Sequence, residues 1–117
     1  MVIGIVGSRR RNTLEDRSLV EGALLKYYNK GDTLVSGGCP TGADSFAEYF
    51  AKLYSISIKI HKAEWDKYGK AAGFMRNSYI AEDADILIAC VAPDRTGGTE
   101  DTIRKYLKLG KTQLILT

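Results

Sequence analysis

Apolar and polar positions alternate in blocks along this chain, and the blocks change period in a regular order. Val2 to Val6 is a short apolar run that reads as a strand ending in Gly7-Ser8-Arg9. A helix is predicted from about Thr13, where Thr13 and Asp16 have capping-box spacing; its apolar face is Val20, Ala23, Leu24 and Tyr27, and Gly31 stops it. Thr33 to Ser36 is a second strand. After Gly37, Gly38 and Gly42 the apolar positions Ala43, Phe46, Ala47, Phe50 and Tyr54 fall at helical spacing. Thr41 is placed to cap this helix, with Asp44 three residues on completing the box. Ser55 to Ile60 alternates Ile56, Ile58 and Ile60 with polar residues, the pattern of a strand exposed on one face, as at a sheet edge.

From His61 to Gly73 no period holds, and the stretch reads as a long loop. Phe74 to Asp83 is helical in pattern. Asp85 to Ala92 is a nearly continuous apolar run, as a strand buried on both faces requires. Pro93 to Gly98 is a second glycine-containing loop. Thr99 to Leu109 is a helix with Glu100 and Asp101 in its first turn and Lys105 and Lys108 near its end, the arrangement the helix dipole favours. Thr112 to Leu116 is a last strand. Strands and helices alternate throughout, so the expected fold is α/β: a Rossmann-like three-layer sandwich around a five-stranded parallel sheet in the order 3-2-1-4-5.

Length and composition agree with one domain over residues 1–117: 44% hydrophobic and 26% charged residues make an ordinary globular balance. No apolar run is long enough to cross a bilayer, and no basic region precedes the first one, so Met1 to Gly7 reads as a strand and not a signal peptide. Cys39 and Cys90 lack Cys-x-x-Cys spacing, and with a single His no metal site is expected; the natural compartment is a reducing cytoplasm. The net charge of +3 suits an anionic small ligand and does not require nucleic acid.

The order 3-2-1-4-5 brings the strand-to-helix loops together at the carboxyl edge of the sheet, where open α/β sheets bind ligands. Three such loops precede helices: Gly7-Ser8-Arg9, Gly37 to Asp44, and Thr96 to Asp101. Unpaired amides at helix starts hold phosphate or carboxylate. The candidate ligand is a nucleotide or sugar phosphate, with phosphate on the amides of Gly97, Gly98 and Thr99 and ribose hydroxyls near Asp44. The same glycines also serve a ligand-free tight turn. Of Arg9, Arg10 and Arg11, Arg9 is the candidate phosphate grip. Arg76 could neutralise a phosphate and Asn77 hold a hydroxyl. Trp65 and Tyr68 could stack on a base, though a lone Trp more commonly fills a gap beneath a loop. Cys39 and His61 follow adjacent strands, but no third group orients them as a catalytic pair.

Gly7-Ser8-Arg9, Val35-Ser36-Gly37-Gly38 with Gly42-Ala43-Asp44, Trp65 with Tyr68-Gly69-Lys70-Ala71-Ala72-Gly73, Arg76-Asn77, Ala84-Asp85 and Gly97-Gly98-Thr99-x-Asp101 occur in this order over nearly the whole chain. Together they resemble the SLOG superfamily of Rossmann-like domains, and within it the small single-domain YspA-type members. The resemblance implies a nucleotide-derived ligand at the carboxyl edge: a nucleoside phosphate, an ADP-ribose-like molecule or a nucleotide sugar. No further cofactor is expected, and homodimers are common among the members it resembles. Several SLOG proteins are thought to sense or process such ligands in conflict between bacteria and phages. Backbone contacts would come from Gly7, Gly37, Gly38, Gly42, Gly97, Gly98 and Thr99, and side-chain contacts from Ser8, Arg9, Arg76 and Asn77.

Two branches of the superfamily imply different activities. The LONELY GUY phosphoribohydrolases cut the N-glycosidic bond of nucleoside monophosphates with a Glu three residues after the Thr of Pro-Gly-Gly-x-Gly-Thr-x-x-Glu; here that position is Thr102. Asp44, Asp101 and Glu100 are the carboxylates left as catalytic candidates. The DNA-processing protein A (Smf) family has similar loops and binds single-stranded DNA, which is the alternative partner. This chain lacks the flanking domains of that family, and its mild charge and few loop aromatics fit strand binding less well.

Overall fold

The computed structural model describes residues 1–117. In chain order the elements are β1 (Val2–Gly7), α1 (Leu14–Tyr27), β2 (Thr33–Ser36), α2 (Ala43–Leu53), β3 (Ile58–Ile60), α3 (Trp65–Tyr68), α4 (Ala71–Asp83), β4 (Ile86–Cys90), α5 (Gly98–Lys108) and β5 (Leu114–Leu116). The five strands form one sheet in the order β3-β2-β1-β4-β5. Every pairing is parallel. This is the expected Rossmann-like architecture, with the strand order reversing direction between β1 and β4.

The period-2 alternation of side chains divides the core between the two faces. Ile3, Ile5, Ile86, Ile88 and Cys90 pack on one face against Val20 and Leu24 of α1 and Phe46, Ala47 and Phe50 of α2. Val6, Val35, Leu87 and Ala89 pack on the other against Ile80 and Ala81 of α4 and Ile103 and Tyr106 of α5. β4 is buried at every position and β3 at none, which is why one read as a continuous apolar run and the other as an alternating edge.

Helix termini are secured in different ways. At α1 the capping box forms: the Asp16 amide donates to Thr13 Oγ1 at 3.1 Å and the Thr13 amide to Asp16 Oδ2 at 3.2 Å. The box expected at Thr41 and Asp44 does not form. The N-cap of α2 is Gly42, without a side-chain cap, because the Asp44 carboxyl turns back toward Ser36 and Cys39. At the C-terminus of α4, Lys111 Nζ donates to the carbonyls of Ala81, Glu82 and Ala84 at 2.9, 2.6 and 2.8 Å.

The stretch expected to be a loop, His61 to Gly73, instead contains α3 and the first turn of α4. α3 is 4 residues long, too short to show a helical period. α4 starts after Lys70 without a side-chain cap, so the usual start signal is missing from the sequence.

Candidate functional site

A crevice of about 410 Å³ opens at the carboxyl edge of the sheet, where the strand order reverses. Gly7, Ser8, Arg9 and Arg10, at and after the end of β1, form one side. Thr96, Gly97, Gly98 and Thr99, at the start of α5, form another. The loop after β2 contributes Cys39, and the first turn of α2 contributes Asp44. Trp65, Lys70, Phe74, Arg76 and Asn77 close it from α3 and α4.

The α5 terminus brings a glycine-rich helix start to the crevice. Its N-cap Gly97 has φ +102°, a left-handed conformation that favours glycine, and makes no side-chain cap. The first amides of a helix have no acceptor in a preceding turn. Nothing lies within 4 Å of the position a Gly97 Cβ would take, and only Asn77 Nδ2, at 3.8 Å, lies near that of Gly98. No side chain therefore crowds Gly97 or Gly98, where the positive end of the helix dipole meets the crevice lining, while Thr99 is 8% exposed.

The loop after β2 is built differently. The Gly42 amide donates to Asn12 Oδ1 at 2.8 Å and the Cys39 amide to Asp44 Oδ2 at 3.1 Å. Gly37, Gly38 and Gly42 do not line the crevice. Gly37 is crowded: a Cβ there would stand 2.6 Å from Arg76 Nη1 and 2.8 Å from Asp44 Oδ2. This loop brings side chains to the crevice rather than free amides.

A chain of hydrogen bonds crosses the crevice wall. Arg76 Nη1 donates to the Gly37 carbonyl at 2.9 Å, and its Nε to Asn77 Oδ1 at 3.0 Å. Asn77 Nδ2 donates to the Gly98 carbonyl at 3.2 Å and to Asp101 Oδ2 at 3.1 Å. Lys105 Nζ holds the same Asp101 oxygen at 2.8 Å. Asn77 thus spends its side chain tying α4 to the start of α5, while Arg76 keeps its guanidinium on the crevice. Asp101 lies behind the wall, and Glu100 is paired with Arg95 at 2.8 Å; neither lines the crevice.

The three consecutive arginines separate by role. Arg9 is exposed and lines the crevice. Arg10 reaches the loop after β4, donating to Asp94 at 2.6 and 3.0 Å and to Thr96 Oγ1 at 3.1 Å. Arg10 and Thr96 hold the Asp94 carboxyl well below the usual carboxylate range. Arg11 Nε bonds Asp16 at 3.0 Å, and its Nη1 donates to the carbonyls of Val91 and Thr117.

Asp44 is the sole carboxyl in the lining, against the basic side chains of Arg9, Arg10, Lys70 and Arg76. It is 8% exposed. Ser36 Oγ lies 2.6 Å from the Ile5 carbonyl and 3.0 Å from Asp44 Oδ1. A serine hydroxyl has one proton, and the Ile5 carbonyl can only accept. With that proton on the shorter contact, the Asp44 contact closes as a hydrogen bond when Asp44 itself carries a proton. Burial pushes the Asp44 carboxyl up from its ordinary value, and the Cys39 amide and the Arg76 charge oppose it only in part.

Sequence reasoning passed over Lys70 and Phe74 as crevice residues; the signal was their position in the stretch between Trp65 and Arg76. Trp65 is 53% exposed on the crevice rather than filling a gap beneath a loop. His61 Nε2 pairs with Asp83 Oδ2 at 2.6 Å, and its ring packs 5.6 Å from that of Tyr79. No group of three or more His, Cys, Asp and Glu side chains is arranged to hold a metal ion. No helix is long and apolar enough to cross a membrane.

Fold and crevice together define a Rossmann-like α/β domain with a basic cleft at its switch point. The chain is 31% identical over 115 residues to the Gene 61 protein of Mycobacterium phage D29, covering 91% of this chain and 88% of the phage protein, and it belongs to that protein's family. No protein-family model and no solved structure matches it.

Proposed function

We propose that this chain is a SLOG-type domain that binds a phosphorylated nucleotide derivative in the crevice between β1 and β4. The supporting observation is the lining itself: the uncapped, glycine-rich start of α5 beside Arg9, Lys70 and Arg76, with a single buried carboxyl as counterweight. Helix-start amides and guanidinium groups are the standard donors to phosphate oxygens. A volume of about 410 Å³ is within the range of small-molecule sites. In this reading phosphate sits on Gly97, Gly98 and Thr99, within reach of Ser8 and Arg9. The same proposal carries a cytoplasmic homodimer as the working form.

Turnover, where it occurs, is hydrolysis of the N-glycosidic bond. Water supplies hydroxyl to the sugar carbon as the carbon–nitrogen bond breaks, its remaining hydrogen ion recharges the crevice acid, and the departing base nitrogen takes a proton from that acid. Asp44 in its protonated form is the crevice group suited to supply that proton.

The test is calorimetry and thermal shift with AMP, ADP-ribose and a nucleotide sugar, followed by chromatography for released base. Saturable binding by one of them is the expected result, and released base adds the hydrolase activity. Absence of binding by all three overturns the proposal. Retention of a single-stranded oligonucleotide that weakens steeply with salt would instead support the DNA-binding alternative.

A further inference from the structure

One wall of the crevice is aromatic, and nothing in phosphate binding accounts for it. Trp65 and Phe74 both line the crevice and are 53% and 57% exposed. Large aromatic surfaces are costly to leave in water, and a Trp serving only to pack is expected to be buried. The indole nonetheless lies against α4. A Cβ on Gly73 would come within 3.1 Å of Trp65 Cη2 and 3.7 Å of Cζ3, so the ring edge rests on α4 where a side chain is missing. Phe74 is already engaged: Lys105 Nζ lies 5.4 Å from its ring centroid and donates to its backbone carbonyl at 2.7 Å.

We propose that Trp65, seated on Gly73, is the stacking platform for the base of the bound nucleotide. This rests on the reading of the crevice as a nucleotide-derivative site and adds which part of the ligand gives selectivity. A cationic end at α5 and a flat aromatic wall at α3 together fit a ligand with a phosphate at one end and a planar ring at the other. The platform recognises a base by its π face, so it favours base-containing ligands over sugar phosphates without choosing strongly among bases.

The chain has one Trp, so indole emission comes from Trp65. The experiment titrates the full chain with AMP, GMP, CMP and UMP and, separately, with ribose 5-phosphate, with calorimetry in parallel. Both kinds of ligand are expected to bind, the nucleotides about tenfold or more tightly, from the usual strength of base–aromatic stacking. Nucleotides alone should quench the emission. Trp65→Leu should bring AMP affinity down toward that of ribose 5-phosphate, and Trp65→Phe should recover part of the difference. Equal affinity for AMP and ribose 5-phosphate, or tight AMP binding that leaves the emission unchanged, would overturn the platform and leave the phosphate site standing. Binding of none of these ligands would overturn the crevice reading itself and the platform with it.

Discussion

Replacing Asp44 in two different ways separates its proton from its shape. In Asp44→Asn, the amide NH2 can donate to Ser36 Oγ as the acid O–H would, and the amide oxygen can accept from the Cys39 amide, now 3.1 Å from Oδ2. In Asp44→Ala both contacts are lost and the Cys39 amide is left without its acceptor. An unmade hydrogen bond at a half-buried donor costs about 1–3 kcal/mol. For a domain of this size that lowers Tm by roughly 4 °C per kcal/mol.

The pH dependence carries a sign. Burial raises the folded-state pKa of Asp44 above its ordinary value of 3.8, so the folded state holds this proton more firmly than the unfolded chain does. The contribution is fully present below 3.8 and is lost as pH rises through the raised folded value. Asp44→Asn has no proton to lose, so its stability relative to the wild type should grow as pH rises through that window. Urea unfolding across a pH series reads this directly. The expected pattern is Asp44→Asn at least as stable as wild type near neutral pH and Asp44→Ala about 1–3 kcal/mol less stable. Asp44→Asn as damaging as Asp44→Ala, or a difference from wild type that does not grow with pH, would refute the neutral-acid reasoning and indicate an ionised carboxylate paired with Arg76.

Other substitutions probe the scaffold around the crevice. Gly42 has φ +76°, and a Cβ there would stand 2.7 Å from the Ser8 carbonyl oxygen; Gly42→Ala should cost more than about 1 kcal/mol, read by thermal or urea unfolding. Lys111→Met removes the cation that gathers the Ala81, Glu82 and Ala84 carbonyls and should cost about 1–2 kcal/mol, with hydrogen exchange rising first in the last turn of α4. Phe50 is 0% exposed between α2 and the sheet, and Phe50→Ala should cost about 3–5 kcal/mol in the same unfolding assay.

Sheet order and helix placement were legible because each rests on a local period. The nearly continuous apolar run from Asp85 to Ala92 marks a central strand, and the alternation before Ile60 marks an edge. Less of the crevice was legible. That Ser8, Arg9, Arg76, Asn77 and Gly97 to Thr99 stand close together follows from the topology. Which partner each side chain takes depends on register across the sheet and on neighbours far along the chain. Arg10 finds Asp94, 84 residues away, and Asn77 finds Asp101, 24 residues away. The Gly42 amide, a free donor on local reasoning, is taken by Asn12 from 30 residues earlier. Asp44 sits at capping-box spacing from Thr41, yet its carboxyl is drawn inward by Ser36 and Cys39. α3, at 4 residues, is shorter than any period that would reveal it.

Backbone amide NMR of the uniformly 15N-labelled chain, followed through a titration with AMP, tests most directly whether the crevice holds the phosphate. The largest saturable shifts should fall on Gly97, Gly98 and Thr99, with smaller ones on Ser8 and Arg9. Shifts that cluster instead around Asn12, Thr13 and Ser45, which line a separate pocket, or no saturable shift at millimolar AMP, would contradict it.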